Sequence, residues 1–301
     1  MSIDREIKIE RILFPTQFRE LSFNTLESLL VLKEAGLKEI VLSYIIPRDD
    51  VAYVPFGGYL KDEEGRLREE ARIRFGDWQQ ALSAAGIESR TVIEVGDPVP
   101  KILAVAEREK VDLIVAGKKR RTEVEDIFIG SHTMEILRRS RIPVLLHKYM
   151  VQFEWDGEMV TRTNDRIFER PLFATDWSLP SERALKLLLS LKDIVKEALV
   201  AHVIGGKISK GLGLPELQRL ERESKERLEQ YCEVLRTAGI KAELHLSAGN
   251  DVREILSISR EFGAGMIIMG TTGKDRLHEL FLGSVSHRVA ETSELPTLLV
   301  P

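Results

Sequence analysis

GMIIMGTTGKDRLHELFLGSVSHRV, residues 265–289, decides how this chain is read. A charge-free apolar run ends at Met269, Gly270 and Gly273 follow, and Gly283 comes ten residues later with Ser284 and Ser286 beside it. A short apolar run bounded by glycine suits a strand buried on both faces, and the stretch after Gly283 suits the start of a helix. Strand, glycine loop and helix in that order point to an α/β fold, provided the rest of the chain repeats the alternation.

The chain does so twice. ILFPTQF at 12–18 matches PLFATDW at 171–177, KEIVLSYII at 38–46 matches KEALVAHVI at 196–204, and AAGI at 84–87 matches TAGI at 237–240. From there the offset is constant: VDLIVAG at 111–117 against AGMIIMG at 264–270, DIFIGSHTMEI at 126–136 against ELFLGSVSHRV at 279–289, and RIPVLLH at 141–147 against ELPTLLV at 294–300. Units of this length are whole domains and not solenoid repeats. The reading is domain 1 over 1–149, a linker over 150–167 and domain 2 over 168–301. The linker region lacks helical periodicity, and its Trp155-Asp156-Gly157 turn signal between apolar runs allows a hairpin.

Amphipathic stretches separate the apolar runs. LPSERALKLLLSLKDIV begins after Ser178, a candidate N-cap, with Pro180 in its first turn. Leu217, Leu220, Leu228, Tyr231 and Leu235 keep one helical face apolar. Asp97-Pro98 and Asn250-Asp251 read as helix starts, Ala85-Gly86 and Ala238-Gly239 as helix ends. The expected architecture is two tandem, doubly wound α/β domains, each a five-stranded parallel sheet of Rossmann-like form, with the ligand crevice outside the carboxyl ends of the strands.

In that crevice Gly270 and Gly273 let the backbone turn sharply and approach a ligand. Gly283, Ser284 and Ser286 open the last helix, whose unpaired N–H groups and positive dipole end favour an anion such as phosphate. No Walker-type G-x-x-x-x-G-K-[ST] and no G-x-G-x-x-G follows the first strand of either copy, so the familiar P-loop and dinucleotide sites are not expected.

On these residues the chain resembles the universal stress proteins in a tandem form, over nearly all its length outside the linker. Nucleotide-binding members of that family carry G-x2-G-x9-G-[ST], which Gly270, Gly273, Gly283 and Ser284 match in full. The resemblance implies an adenine-nucleotide site, with ATP, ADP or AMP as ligand and Mg2+ accompanying ATP. It implies that Asp176, after the first strand of domain 2, reads the adenosine portion, with Ala174 and Thr175 along the adenine pocket and Val203 and Met269 as apolar contacts to the base. Val285 and Ser286 continue the phosphate side after Ser284. Asp in the place of Asp176 is also a common cap or turn residue. Lys274 and Arg276 read either as partners of outer phosphates or as a solvated loop, and His278 and His287 have no metal-spaced partners.

Domain 1 departs from the motif. Gly117, Gly130 and Ser131 remain, but Arg120 stands at the place of Gly273 and Gln17 at that of Asp176. This degenerate site is expected to be impaired, or altered if the Arg120 guanidinium itself meets phosphate. The basic run Lys118 to Arg121 reads as a solvated loop before it reads as a nucleic-acid patch.

A chain of 301 residues with 43% hydrophobic content has ample core, and its net charge of −4 supplies no overall field for nucleic acid. The single cysteine, Cys232, excludes an internal disulfide and suits a reducing compartment. MSIDREIKIERILFP has charges where a signal peptide has an apolar core, and no stretch reaches membrane-spanning length, so a cytoplasmic protein is expected. Three functions fit: an ATP-binding stress-response regulator with domain 2 competent, a nucleotide-independent scaffold for an unidentified protein partner, and a slow ATP hydrolase, for which no general base is evident. The final strands PVLLH and PTLLV are expected to pair the two domains about an approximate two-fold axis, with further homodimerisation open.

Overall fold

The computed structural model describes residues 7–18, 22–53, 58–117, 130–155, 158–273 and 282–301. In the first half β1 (Arg11–Pro15), α1 (Ser22–Ser28), β2 (Glu39–Pro47), α2 (Lys61–Ala84), β3 (Glu88–Gly96), α3 (Pro98–Arg108), β4 (Leu113–Gly117), α4 (Ser131–Arg139) and β5 (Val144–His147) follow one another. A hairpin, β6 (Met150–Trp155) and β7 (Glu158–Thr163), leads into the second half. That half runs β8 (Pro171–Ala174), α5 (Leu179–Ser190), β9 (Glu197–Gly205), α6 (Leu214–Thr237), β10 (Lys241–Gly249), α7 (Asp251–Glu261), β11 (Met266–Gly270), α8 (Ser284–Thr292) and β12 (Thr297–Val300).

Each half is a parallel sheet covered by helices, with strand orders β3-β2-β1-β4-β5 and β10-β9-β8-β11-β12. The order reverses between β1 and β4 and between β8 and β11, which opens a crevice at their carboxyl ends. One apolar layer, with Phe75, Phe173, Leu228 and Cys232, lies on the α2 and α6 side of the sheet. The other, with Val105, Ile136, Val203, Ile255 and Met269, lies on the side of α3, α4, α7 and α8. The expected caps operate: Ser178 Oγ accepts the Ser181 N–H, and Asn250 Oδ1 accepts the Arg253 N–H at 3.0 Å. Gly86 and Gly239, just past α2 and α6, have φ of +71° and +90°, the left-handed turn that ends a helix.

The two sheets join into one of ten strands through antiparallel β5 and β12. Leu145 faces Leu298, its own repeat equivalent, while Thr297 faces Leu146 and Leu299 faces Val144, the register of a two-fold axis. The connection between the halves is built into this seam, with Val151, Asn164, Ile167 and Phe168 all buried. Lys148, 1% exposed, donates its ammonium to the carbonyls of Ala290, at 2.8 Å, and Ser293 at the end of α8, where the helix dipole favours a cation. Asn164 Nδ2 donates to the Lys148 carbonyl at 2.6 Å, and the buried Glu294 carboxylate accepts twice from Arg260, at 2.7 and 3.1 Å. Among the described residues no helix is long and apolar enough to cross a membrane.

Candidate functional site

The Thr175 N–H donates to the Ala201 carbonyl at 2.9 Å, and the chain then leaves β8 in a tight turn. Trp177 sits there at φ +65°, a conformation L side chains rarely adopt. Thr175 Oγ1 holds it by accepting the Trp177 N–H at 3.1 Å and the Ser181 hydroxyl at 2.7 Å. Between them Asp176 Oδ1 accepts the Ser178 N–H at 3.1 Å and its hydroxyl at 2.6 Å. Asp176 therefore serves the turn with one oxygen, and its other oxygen, Oδ2, lies where a Cβ on Gly273 would be, 2.8 Å from that position. Turn residue and crevice carboxylate are two faces of one side chain.

The glycines have reasons the sequence did not disclose. A Cβ on Gly270 would stand 2.8 Å from Pro180 Cβ and from the Ser181 nitrogen, so this glycine lets β11 end against the start of α5. Sequence spacing assigned it to ligand approach; packing accounts for it. Gly273 admits the Asp176 carboxylate. Gly283 closes the loop, its N–H donating to the Thr271 carbonyl at 2.6 Å, and a Cβ there would meet that oxygen at 3.1 Å. Ser286, expected to face phosphate, is 3% exposed, and its hydroxyl is directed at the carbonyls of Thr271, at 2.6 Å, and Gly283, at 3.0 Å. Its hydroxyl joins the two ends of the loop, because a buried hydroxyl takes the nearest backbone acceptor.

Ser284 is exposed in the first turn of α8, Val285 is half-buried, and Gly283 caps the helix with no side-chain acceptor. The first N–H groups of α8 thus lack a side-chain cap at the mouth of the crevice. Ala174, Val203 and Met269 are buried in one apolar layer, with Val285 packed against it, so the residues expected along the base share one face of the sheet. A groove of about 620 Å3 between α7 and α8 meets this site only at Ser284 and Val285. Asp176 is not on its wall, so it flanks the crevice.

The first half has the same frame with different residues in it. Thr16 repeats the Thr175 contacts, its N–H donating to the Ser43 carbonyl at 2.8 Å and its Oγ1 accepting the Phe18 N–H at 2.9 Å. Gln17 is exposed and donates its amide to the carbonyl of Ile45, the repeat equivalent of Val203, at 3.4 Å. Nothing among the described residues comes within 4 Å of a Cβ on Gly117. Gly130 caps α4, Ser131 is exposed, and Thr133, equivalent to Ser286, lies 3.4 Å from the Gly117 carbonyl. Arg120 with Lys118, Lys119 and Arg121, and likewise Lys274, Arg276 and His278, lie outside the described residues.

Two residues of the site were missed by sequence reasoning. Arg227, on α6, places its guanidinium 4.4 Å from the Trp177 ring centroid, and His202 Nδ1 bonds the Thr175 carbonyl at 2.7 Å. The repeat alignment held a signal for the first, since Arg74 occupies the same place in α2.

The universal stress protein family matches residues 8–148 and again 168–301. A universal stress protein from Archaeoglobus fulgidus has a similar structure, with a TM-score of 0.72 and 25% identity, covering 97% of this chain and 98% of that one. Universal stress protein MJ0577 of Methanocaldococcus jannaschii is 27% identical over 156 residues, which is 47% of this chain and 96% of the relative. Universal stress protein YxiE of Bacillus subtilis is 30% identical over 147 residues, 44% of this chain and 99% of its own length. Relatives of a single unit thus span about half of this chain, and the Archaeoglobus protein spans both halves. The chain belongs to the universal stress protein family, with two family units in tandem.

Proposed function

We propose that this is an adenine-nucleotide-binding stress-response regulator whose second half, residues 168–301, holds ATP, while the first half, residues 1–149, does not. Residues 150–167 join the two. The observation that carries the reading is the convergence, at the strand-order reversal between β8 and β11, of the Asp176 carboxylate, the closed base of the glycine loop and the uncapped start of α8. Asp176 would meet the adenosine portion, Ala174, Val203 and Met269 would face the base, and the α8 N–H groups with Ser284 would take phosphate. Mg2+ would arrive on the phosphates, since among the described residues no three His, Cys, Asp or Glu side chains gather to hold an ion. The output of such a site is a conformation, or a choice of protein partner, that depends on occupancy.

Mass spectrometry of ligand co-purified with the chain, followed by calorimetry, tests this. Wild type should bind about one ATP per chain. Gly283→Val, whose branched side chain would collide with the Thr271 carbonyl, should weaken binding by roughly 100-fold, comparable to loss of two to three hydrogen bonds. Asp176→Ala should weaken it by about tenfold. Unchanged affinity in both variants would sink the assignment and favour the scaffold function.

A further inference from the structure

The halves have diverged at the nucleotide loop but not behind it. Phe18 and Trp177 occupy one repeat position, and both have positive φ, +53° and +65°; among the described non-glycine residues only Lys110 shares that conformation. Each has its N–H on the hydroxyl of a threonine two residues back, at 2.9 and 3.1 Å. Each ring lies under an arginine of the long helix: Arg74 is 5.3 Å from the Phe18 centroid and Arg227 is 4.4 Å from that of Trp177. Each is flanked by equivalent rings, Trp78 at 5.5 Å and Tyr44 at 5.2 Å in the first half, Tyr231 at 5.3 Å and His202 at 4.8 Å in the second. The flanking rings have changed identity between halves; the arginine has not.

We propose that Arg227 is a positioning residue of the nucleotide site: it clamps the Trp177 ring, holds the left-handed turn, and so keeps the Asp176 carboxylate against Gly273. A left-handed aromatic residue is unfavourable by an amount of the same order as a cation–π attraction, so removing the cation releases the turn. Trp177 is 8% exposed while Arg227 is exposed, so the ring is packed on its other side and the cation closes its solvent face. In the first half Arg74 holds the Phe18 turn in the same way, although Gln17 stands where the carboxylate would be. This inference rests on the nucleotide reading of the second half.

The test compares full-length Arg227→Met, which keeps the length and removes the cation, with Arg227→Lys, which restores a cation. Arg219→Ala removes a charge from the same helix, where Arg219 faces Glu223 at 3.7 Å. In ligand-free protein, Arg227→Met should speed amide exchange at Trp177 and Ser178 by about two- to fivefold, leaving the amides of β9 and β11 unchanged, and Arg227→Lys should recover most of the protection. ATP affinity measured by calorimetry should fall about two- to fivefold in Arg227→Met with little change in melting temperature. Unaltered exchange at Trp177 and Ser178 overturns the clamp, with or without nucleotide. Faster exchange with unaltered ATP affinity overturns the positioning role, as does an equal loss in Arg219→Ala. A wild-type chain that binds no ATP overturns the nucleotide reading and the positioning role together, and the exchange result then decides the clamp.

Discussion

The base of the crevice carries different residues in the two halves, while the turn beside it is the same. In the second, Gly283 and Ser286 both reach the Thr271 carbonyl at 2.6 Å, and Gly270 is packed on Pro180. In the first, Thr133 stands 3.4 Å from its acceptor, the Cβ position of Gly117 is free among the described residues, and Gln17 turns its amide toward Ile45. Yet both halves keep one strand order and the same clamped turn. In both halves the turn is held by the threonine hydroxyl two residues back and by ring packing, and in the second half Ser178 Oγ also lies 3.2 Å from the Thr272 carbonyl of the glycine loop. Duplication therefore lets one loop change its chemistry while the fold under it stays intact.

The largest effect that sharpens this comparison lies at the seam, where His147 of β5 stands opposite in the repeat to Val300 of β12. His147 is 1% exposed, its Nε2 is 3.0 Å from Ser28 Oγ, and burial pushes its pKa down from 6.5 to about 4. The folded chain keeps the ring neutral while the unfolded chain protonates it near pH 6.5, so the unfolded state binds more protons between the two values. The contribution is fully present above pH 6.5 and is lost as the pH falls toward 4. Its full size is roughly 3 kcal/mol. Urea unfolding at pH 7.5 and 4.5 should show that His147→Val, which imports the residue of the other half, loses much less stability on acidification than wild type. Equal losses would show that other groups carry the acid limb.

Next comes the glycine that begins each loop. Gly270→Ala should destabilise the chain by about 2 kcal/mol, because the new methyl meets backbone at the start of α5, while Gly117→Ala should stay within about 0.5 kcal/mol. Thermal melts of the two variants measure the difference directly, and similar shifts would mean the two loop entrances are alike.

The smallest effect is a coupling. Gly273→Ala brings a Cβ against Asp176 Oδ2, so it should be less damaging when Asp176 is already alanine, with an interaction energy of about 1 kcal/mol in a double-mutant cycle. Additive stabilities would separate two positions that the repeat changes together, to Arg120 and Gln17.

Much of this was legible in the chain alone. The repeat, the alternation of short apolar runs with amphipathic stretches, the Ser178 and Asn250 caps and the Gly86 and Gly239 helix ends are local patterns, and each is set by backbone geometry within a few residues. The same patterns pointed to the crevice, since a doubly wound order fixes where the strands reverse, and to Gly270, Gly273 and Gly283 beside it; Ala174, Asp176, Val203 and Met269 came only from the resemblance to the universal stress proteins. The direction and partner of each side chain were not legible. Ser286 turns inward, Gly270 is small for the sake of Pro180, Lys148 reaches across the seam to the end of α8, and Arg227 covers a ring 50 positions earlier in the chain. Such contacts join residues distant in sequence, and only the packing of helices on the sheet brings them together, so periodicity and spacing carry no record of them.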